Sequence, residues 1–191
     1  MIPRLVVASK NPDKIVEIED LLGESGLAGE IVRDLEWPDV EETGDTLEEN
    51  AVLKARAVVE ATGLPAIADD TGLEVSALEG GPGVHTARFA GPDASYADNV
   101  TRLLSELEDV EDRSARFRTV VALVFPDGVN VVAEGAVQGV ITRSVRGSGG
   151  FGYDPVFEID GRTFAEMSSR EKGALSHRSR AIRALLRAVG V

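Results

Sequence analysis

The chain has 191 residues, 43% of them hydrophobic, which is enough for one domain with a substantial core. Its 33 acidic residues outnumber 20 basic ones, and the formal net charge of -13 argues against binding long nucleic acid. Cysteine is absent, which excludes a disulfide scaffold and thiolate metal sites. The sequence has no bilayer-spanning apolar stretch and no recognisable signal peptide. We therefore expect one cytoplasmic domain over residues 1–191, with no membrane association.

The N-terminal segment predicts a strand, a polar loop and a helix. The apolar run at residues 4–8 favours a strand, and Asn11 can cap a helix that begins at Pro12 and ends near Gly23. In such a unit the helix N-terminus and loop N–H groups can bind an anion, to which Lys10 and Lys14 add charge. The glycines of a Walker loop are missing, so an ordinary strand-to-helix connection fits equally well.

The next segment combines a weak strand with an acidic loop and a well-capped helix. Residues 29–34 predict the strand and residues 35–45 the loop. Thr46 and Glu49 match a capping box, which opens a helix that continues to about Ala61. Two polar residues of this helix share a face, because they are four residues apart: Asn50 and Lys54.

Within the stretch AIADDTGLEV, residues 66–75, the apolar run 66–68 predicts a strand that ends in two carboxylates, and Leu73 and Val75 then resume an alternating pattern. Successive strand residues point to opposite faces, so we expect one of Asp69 and Asp70 to face inward. A buried carboxylate needs a cation, a metal or a proton, which makes this pair a candidate site. The alternative is that both are turn residues before Gly72.

The second half of the chain predicts hairpins, glycine-rich loops and helices. In chain order we expect a loop at 79–83, a short helix at 84–90, a helix at 96–107, a hairpin of strands 115–125 and 129–139, a loop at 143–154, a hairpin of 156–159 and 163–164, and a helix at 177–188. Together with the N-terminal elements, this order predicts an α/β fold with a long, mixed, twisted β-sheet and flanking helices.

Charge is distributed unevenly along the sequence. Nine acids and one base lie between residues 30 and 50, whereas six bases and one acid follow residue 168. The acidic segment could hold a metal and the basic one a small polyanion. Two solvated faces would produce the same pattern.

Five motifs occur together and in order: SKNPDK, EETG before TLEENAVLKA, AIADDTGLEV, GSGGFGYDPVF and EKGALSHR. This combination closely resembles the inosine triphosphate pyrophosphatase family over essentially the whole chain. The resemblance implies two lobes around a central cleft, a Mg2+ cofactor and a homodimer. It also implies hydrolysis of ITP, dITP, XTP or dXTP to the monophosphate and pyrophosphate, which removes non-canonical purines from the nucleotide pool.

The resemblance also assigns the site residues. Those expected to contact the nucleotide are Ser9, Lys10, Asn11, Lys14, Lys54, Thr71, Phe151, Gly152, Tyr153, Asp154, Lys172, His177 and Arg178. Those expected to bind metal are Glu41, Asp69 and Asp70, with Asp70 also the general base. The choice between Glu41 and Glu42 stays open, as does the division of roles between the two aspartates. Hydrogen-bond donors in the C-terminal segment would favour a 6-oxo purine over adenine.

Three alternatives remain at this point. Asp70-Thr71-Gly72 is also the tripeptide of retroviral-type aspartic proteases, but those are almost wholly strand. A Maf-type nucleotide pyrophosphatase has a similar N-terminus but lacks the GGFGYDP and SHR blocks. A non-catalytic purine nucleotide sensor would retain the binding residues without turnover.

Overall fold

The computed structural model describes residues 1–23 and 25–191, and these form a mixed α/β fold. The strands are β1 (Ile2–Val7), β2 (Ala28–Val32), β3 (Ala66–Val75), β4 (Pro82–Gly83), β5 (Ser114–Val124), β6 (Asn130–Ile141), β7 (Phe157–Ile159) and β8 (Arg162–Thr163). The α-helices are α1 (Pro12–Gly23), α2 (Leu47–Thr62), α3 (Tyr96–Glu106), α4 (Ser169–Leu175) and α5 (His177–Ala188). The predicted fold class, a mixed sheet with helices, is confirmed.

All the described strands belong to one sheet in the order β2-β1-β3-β5-β6-β7-β8, with β4 paired to β3. The chain divides into two compact units, which agrees with the expectation of two lobes. The first unit comprises Met1–Asp70, Thr119–Gly135 and His177–Val191, and the second comprises Thr71–Arg118 and Ala136–Ser176. The predicted cleft stays an expectation from the resemblance. Within the described ranges, no helix has both the length and the hydropathy needed to cross a membrane.

In the first unit, β1 runs parallel to both β2 and β3. One face of these strands is covered by α1 and α5. Leu5 and Val7 of β1 and Ile67 of β3 pack in one apolar cluster with Ile18 of α1 and Ile182 of α5. Each of these side chains is at least nine-tenths buried.

The opposite face of the same strands is covered by α2. Val6 of β1 and Ala66 and Ala68 of β3 pack against Ala55 and Val58 of α2. Because strand side chains alternate between the two faces, they pack into two separate apolar cores. A side chain on either face of β3 in this region is buried.

Helix α2 forms as its sequence predicts. The Thr46 side chain accepts a hydrogen bond from the Glu49 N–H (3.1 Å), and the Glu49 carboxylate accepts one from the Thr46 N–H (3.1 Å). This capping box satisfies N–H groups that the first helical turn cannot. Gly63 ends the helix at φ 69°, a left-handed conformation that glycine adopts without steric cost.

The second unit has an aromatic core. The Phe157 ring packs against Phe117 and Phe164, with ring centroids 4.7 and 5.3 Å away, and all three residues are buried. Edge-to-face and tilted ring pairs of this kind stabilise a core beyond their buried area. Tyr153 and Val156, which follow β6, belong to the same apolar cluster.

The predicted hairpin of β5 and β6 is confirmed. At its turn the Phe125 N–H donates to the Val129 carbonyl (2.9 Å), and at its open end the Ile141 N–H donates to the Arg113 carbonyl (2.9 Å).

Three local features of the second unit differ from the sequence-based predictions. The segment 84–90 has only a three-residue 3-10 helix at Thr86–Arg88, and the predicted loop 79–83 contains the short strand β4. Helix α4 was not predicted. It is capped by Ser168, whose hydroxyl accepts a hydrogen bond from the Glu171 N–H (3.3 Å).

Candidate active site

The two aspartates lie inside strand β3, so the prediction that the strand ends at them is wrong. In the register of β1 with β3, Val6 pairs with Ala66 and Val7 pairs with Ile67, and β1 then ends while β3 continues to Val75. Asp69 and Asp70 are therefore presented beyond the end of β1. Turn formation before Gly72, the alternative explanation, is also excluded because the strand passes through that glycine.

The sequence predicts that one of the two aspartates faces inward, but in the structure both are buried. Asp69 is 2% exposed and Asp70 is 5% exposed. The two side chains do point to opposite faces of β3, as strand geometry requires. Since helices cover both faces, each carboxylate meets a different set of bases.

Asp69 lies on the face covered by α1 and α5. Its Oδ2 accepts hydrogen bonds from Arg178 Nε (3.1 Å) and Nη2 (3.0 Å), and Lys14 Nζ lies 3.3 Å from the same oxygen. Arg178, 1% exposed, also donates through Nη1 to Glu17. Burial alone would raise the pKa of Asp69, but the charges of Lys14 and Arg178 hold that pKa far below its ordinary value.

Asp70 lies on the face covered by α2. Its Oδ1 accepts a hydrogen bond from Lys54 Nζ (2.9 Å), and Asn50 Nδ2 approaches its Oδ2 at 3.4 Å. Lys54 also donates to Glu42 Oε1 (2.7 Å). Burial raises the pKa of Asp70 above its ordinary value, and the charges of Lys54 and Lys14 oppose this only in part.

These surroundings give two adjacent carboxylates different chemistry. Asp69 is held ionised by its bases, which makes it a poor proton acceptor. Asp70 has the higher proton affinity and its base, Lys54, is shared with a second carboxylate, so Asp70 is suited to general base catalysis. The pair also lies where β1 and β3 separate, between helices on opposite faces, the position at which open α/β sheets bind ligands.

The polar loop after β1 is organised by Asn11, which caps α1 as predicted. Asn11 Oδ1 accepts hydrogen bonds from the backbone N–H groups of Asp13 (3.0 Å) and Lys14 (3.2 Å). Ser9 Oγ in turn accepts from the Asn11 N–H (3.2 Å). Lys10 is exposed and pairs with Asp39 across the loop. This cap fixes the backbone of Lys14, and the Lys14 ammonium group contacts Asp69. Burial lowers the pKa of Lys14.

In the second unit, the glycine-rich loop carries a separate group of predicted residues. Asp154, 3% exposed, accepts from the Phe151 N–H (2.8 Å) and from Lys172 Nζ (2.5 Å). Lys172 Nζ also lies 4.6 Å from the centre of the Phe151 ring. A Cβ on Gly150 would lie 2.0 Å from Asp154 Oδ2, so only glycine allows this approach. Asp154 therefore orients the ring and the lysine together.

Several other predicted residues have contacts of a structural kind. Tyr153 is buried in the apolar core, and its hydroxyl donates to the Thr86 carbonyl (2.9 Å). His177 is buried, with Nδ1 2.6 Å from Thr119 Oγ1. Gly152 has φ 61°. For these residues, and for the half-buried Thr71, contact with a nucleotide stays a prediction.

Sequence reasoning left Glu17 out of the site, named Glu42 only as the alternative to Glu41, and gave Asn50 no role. A signal existed for each. Glu17 is three residues from Lys14 and Asn50 is four residues from Lys54, which are helical neighbours. Glu42 adjoins Glu41, but Glu41 is exposed and it is Glu42 that reaches Lys54. Among the described residues no group of three or more His, Cys, Asp or Glu side chains is placed to hold a metal ion.

Comparison with known proteins identifies relatives over nearly the full length. The chain is 45% identical to a dITP/XTP pyrophosphatase of Streptomyces coelicolor, covering 96% of this chain and 95% of that protein. It is 49% identical to a dITP/XTP pyrophosphatase of Symbiobacterium thermophilum, covering 94% and 91%.

The structure is similar to that of a HAM1 protein from Coxiella burnetii, with a TM-score of 0.87, 40% identity and coverage of 98% of each chain. Residues 5–188 match the Ham1 family. The order of motifs in the sequence, the mixed sheet and these matches agree, and the chain belongs to the Ham1 family.

Proposed function

We propose that this chain hydrolyses dITP, ITP and XTP or dXTP to the nucleoside monophosphate and pyrophosphate. The observation that carries this proposal is the buried Asp69–Asp70 pair, which meets lysines from helices on both faces of β3. Attack of water on a polyanionic phosphorus needs cations beside the phosphates and a carboxylate beside the water. The relatives named dITP/XTP pyrophosphatase support the choice of substrate.

Asp70 is the group that accepts the proton from the attacking water. Its raised pKa brings its proton affinity closer to neutral pH, which favours general base catalysis. Lys14 and Lys54 provide positive charge for the phosphate oxygens, with Ser9, Lys10 and Asn11 on the loop before α1. The bond between the α- and β-phosphates breaks as the water oxygen bonds to the α-phosphorus, and pyrophosphate leaves.

The carboxylates near Lys54 fit a magnesium ion. Asp70 and Glu42 both contact the Lys54 ammonium, so oxygens from two carboxylates already converge on one cation. Mg2+ is commonly held by one or two carboxylates plus substrate phosphates. When bound, it would neutralise charge on the triphosphate. The resemblance adds Glu41 and Asp69 as ligands, but Asp69 is already engaged by two bases.

Recognition of the purine is proposed for the glycine-rich loop. Phe151 offers an aromatic face for stacking. Lys172, held by Asp154, can donate to the O6 carbonyl of hypoxanthine or xanthine, whereas adenine would present an amino donor there. Roles for His177 and Arg178 in reading the base follow from the resemblance alone. We also propose that residues 1–191 act as one catalytic domain and as a cytoplasmic homodimer.

The test is release of pyrophosphate from purified protein in Mg2+, with dITP, XTP, dATP and dGTP compared at equal concentration. We expect dITP and XTP to turn over far faster than the canonical nucleotides, and EDTA to abolish the reaction. Equal rates on all four nucleotides would contradict the proposed specificity. Tight binding of dITP without turnover would favour a sensor instead.

A further inference from the structure

Asn50 is a fully buried carboxamide beside the acid pair that no motif assignment explains. It lies one helical turn before Lys54 on α2 and is 0% exposed. A buried amide must satisfy two donors and an acceptor, so its partners determine what it can do. Those partners are Asp70 on one side and the acidic segment before α2 on the other.

The contacts with the acidic segment all go to one residue, Gly44. Asn50 Oδ1 accepts from the Gly44 N–H (2.8 Å) and Asn50 Nδ2 donates to the Gly44 carbonyl (3.3 Å). Because a backbone N–H can only donate, Oδ1 must face it, and Nδ2 therefore faces the Asp70 carboxylate, 3.4 Å away. The orientation of the amide is thus determined by its surroundings.

Gly44 has no room for a side chain at this contact. A Cβ there would lie 2.7 Å from Asn50 Oδ1 and 2.7 Å from the Glu49 Cβ. Two residues earlier, Glu42 reaches Lys54. Asn50 and Lys54 of α2 therefore hold the segment that carries the metal-ligand candidates, and the same two residues also contact Asp70.

We propose that Asn50 is a positioning residue that holds the Asp70 carboxylate and the 42–44 segment at the spacing needed to bind a divalent cation. This inference rests on the proposed function. Lys54 competes for the same carboxylate oxygens as the cation, so it cannot keep them in place once the cation binds. Asn50 uses a neutral donor and backbone contacts, and it keeps both carboxylates placed in either state.

Asn99 provides a matched control. It is also buried, at 2% exposed, and on α3 its carboxamide accepts from the Ala90 N–H (2.7 Å) and donates to the Ala87 carbonyl (3.0 Å). It therefore clamps a loop to a helix as Asn50 does, but among the described residues it makes no hydrogen bond to the acid pair.

The experiment compares Asn50→Ala, Asn50→Asp and Asn99→Ala with the wild type. Mg2+ binding is measured by calorimetry without nucleotide, and the Mg2+ concentration for half-maximal dITP hydrolysis is measured in parallel. Loss of a residue that orients metal ligands typically weakens metal affinity about 10- to 100-fold, and we expect this for Asn50→Ala. Asn99→Ala should change Mg2+ affinity less than about twofold while losing similar thermal stability.

Asn50→Asp keeps an acceptor for Gly44 but places a second carboxylate beside Asp70. We expect it to fold and to bind Mg2+ more weakly than the wild type, because an ionised carboxylate cannot donate the hydrogen bond that Asn50 Nδ2 directs at Asp70. The inference is overturned if both Asn50 variants bind Mg2+ as the wild type does. If wild-type protein itself shows no Mg2+-dependent hydrolysis, the proposed function fails instead, and the calorimetric comparison still decides the role of Asn50.

Discussion

The two faces of strand β3 carry neighbouring aspartates into opposite electrostatic surroundings. On the face covered by α1 and α5, Asp69 meets the buried Arg178 and the partly buried Lys14, and its pKa falls far below the ordinary value because of their charges. On the face covered by α2, Asp70 meets one base shared with Glu42, and burial keeps its pKa raised. Adjacent residues of one type can therefore divide structural and chemical roles, because strand alternation sends them to different helices.

The largest expected effect is on turnover by Asp70→Asn. The carboxamide is similar in size but cannot accept the proton, so we expect kcat for dITP to fall by about 10^2- to 10^4-fold. Binding of dITP, followed by calorimetry, should persist because Lys14 and Lys54 remain. The control is Asp112→Asn, which changes an exposed carboxylate that caps Ser114 and should leave kcat unchanged. If Asp70→Asn stayed active, a group other than Asp70 would have to accept the proton of the attacking water.

Asp69→Asn should act mainly on stability. Removing one partner of a buried ion pair leaves Arg178 and Lys14 undercompensated, which costs about 3–5 kcal/mol. Urea unfolding at pH 7 measures this difference from the wild type. A loss below about 1 kcal/mol would mean that Glu17 alone compensates Arg178.

The pH dependence of the same measurement distinguishes the two faces. The folded pKa of Asp69 lies below its unfolded value of about 3.9, so its stabilisation is complete above that pH and is lost as the pH falls toward the folded pKa. The folded pKa of Asp70 is raised, so its contribution is complete below about pH 3.9 and is lost as the pH rises through the folded value. As the pH rises from 3 to 6, the free energy of unfolding of the wild type should therefore increase relative to that of Asp69→Asn and decrease relative to that of Asp70→Asn. If both differences changed in the same direction with pH, the opposite pKa shifts of Asp69 and Asp70 would be contradicted.

Features of the two faces that neighbouring residues encode could be predicted from the sequence, whereas features that depend on tertiary contacts could not. The capping box at Thr46 and the apolar run before Asp69 are encoded by neighbouring residues, so α2 and the beginning of β3 were predicted, although β3 continues beyond the aspartates to Val75. Which bases meet each aspartate depends on which helix covers each face, and periodicity does not specify that. Glu42 lies in an irregular segment, where no repeat indicates which side chain turns toward Lys54.

The second unit shows the same limit. Helix α4 has a capping sequence at Ser168 and Glu171, but seven residues are too few for a periodic pattern to stand out. The roles of Phe151 and Lys172 came from the family resemblance. The physical arrangement that joins them, the buried Asp154 carboxylate, became visible only in the structure.

The smallest expected effect is on stability, from Gly135→Ala, which tests whether the face of β3 that carries Asp69 can be disturbed without affecting the face that carries Asp70. Gly135 lets β6 approach the first turn of α5, since a Cβ there would lie 2.2 Å from the Ala181 nitrogen and 2.3 Å from the His177 carbonyl oxygen. In Gly135→Ala the helix must shift, and Arg178 shifts with it relative to Asp69. Overpacking of this kind costs about 1–3 kcal/mol, which urea unfolding would detect.

Gly173→Ala is the control for Gly135→Ala, because in the described part of the chain an added Cβ on this helical glycine meets nothing within 4 Å. It should be neutral or stabilise by up to about 1 kcal/mol. Since Asp70 depends on α2 rather than α5, Gly135→Ala should leave the Mg2+ concentration for half-maximal activity near that of the wild type. An increase as large as that expected for Asn50→Ala would mean that the two faces of β3 are coupled, and that the division of roles between Asp69 and Asp70 does not hold.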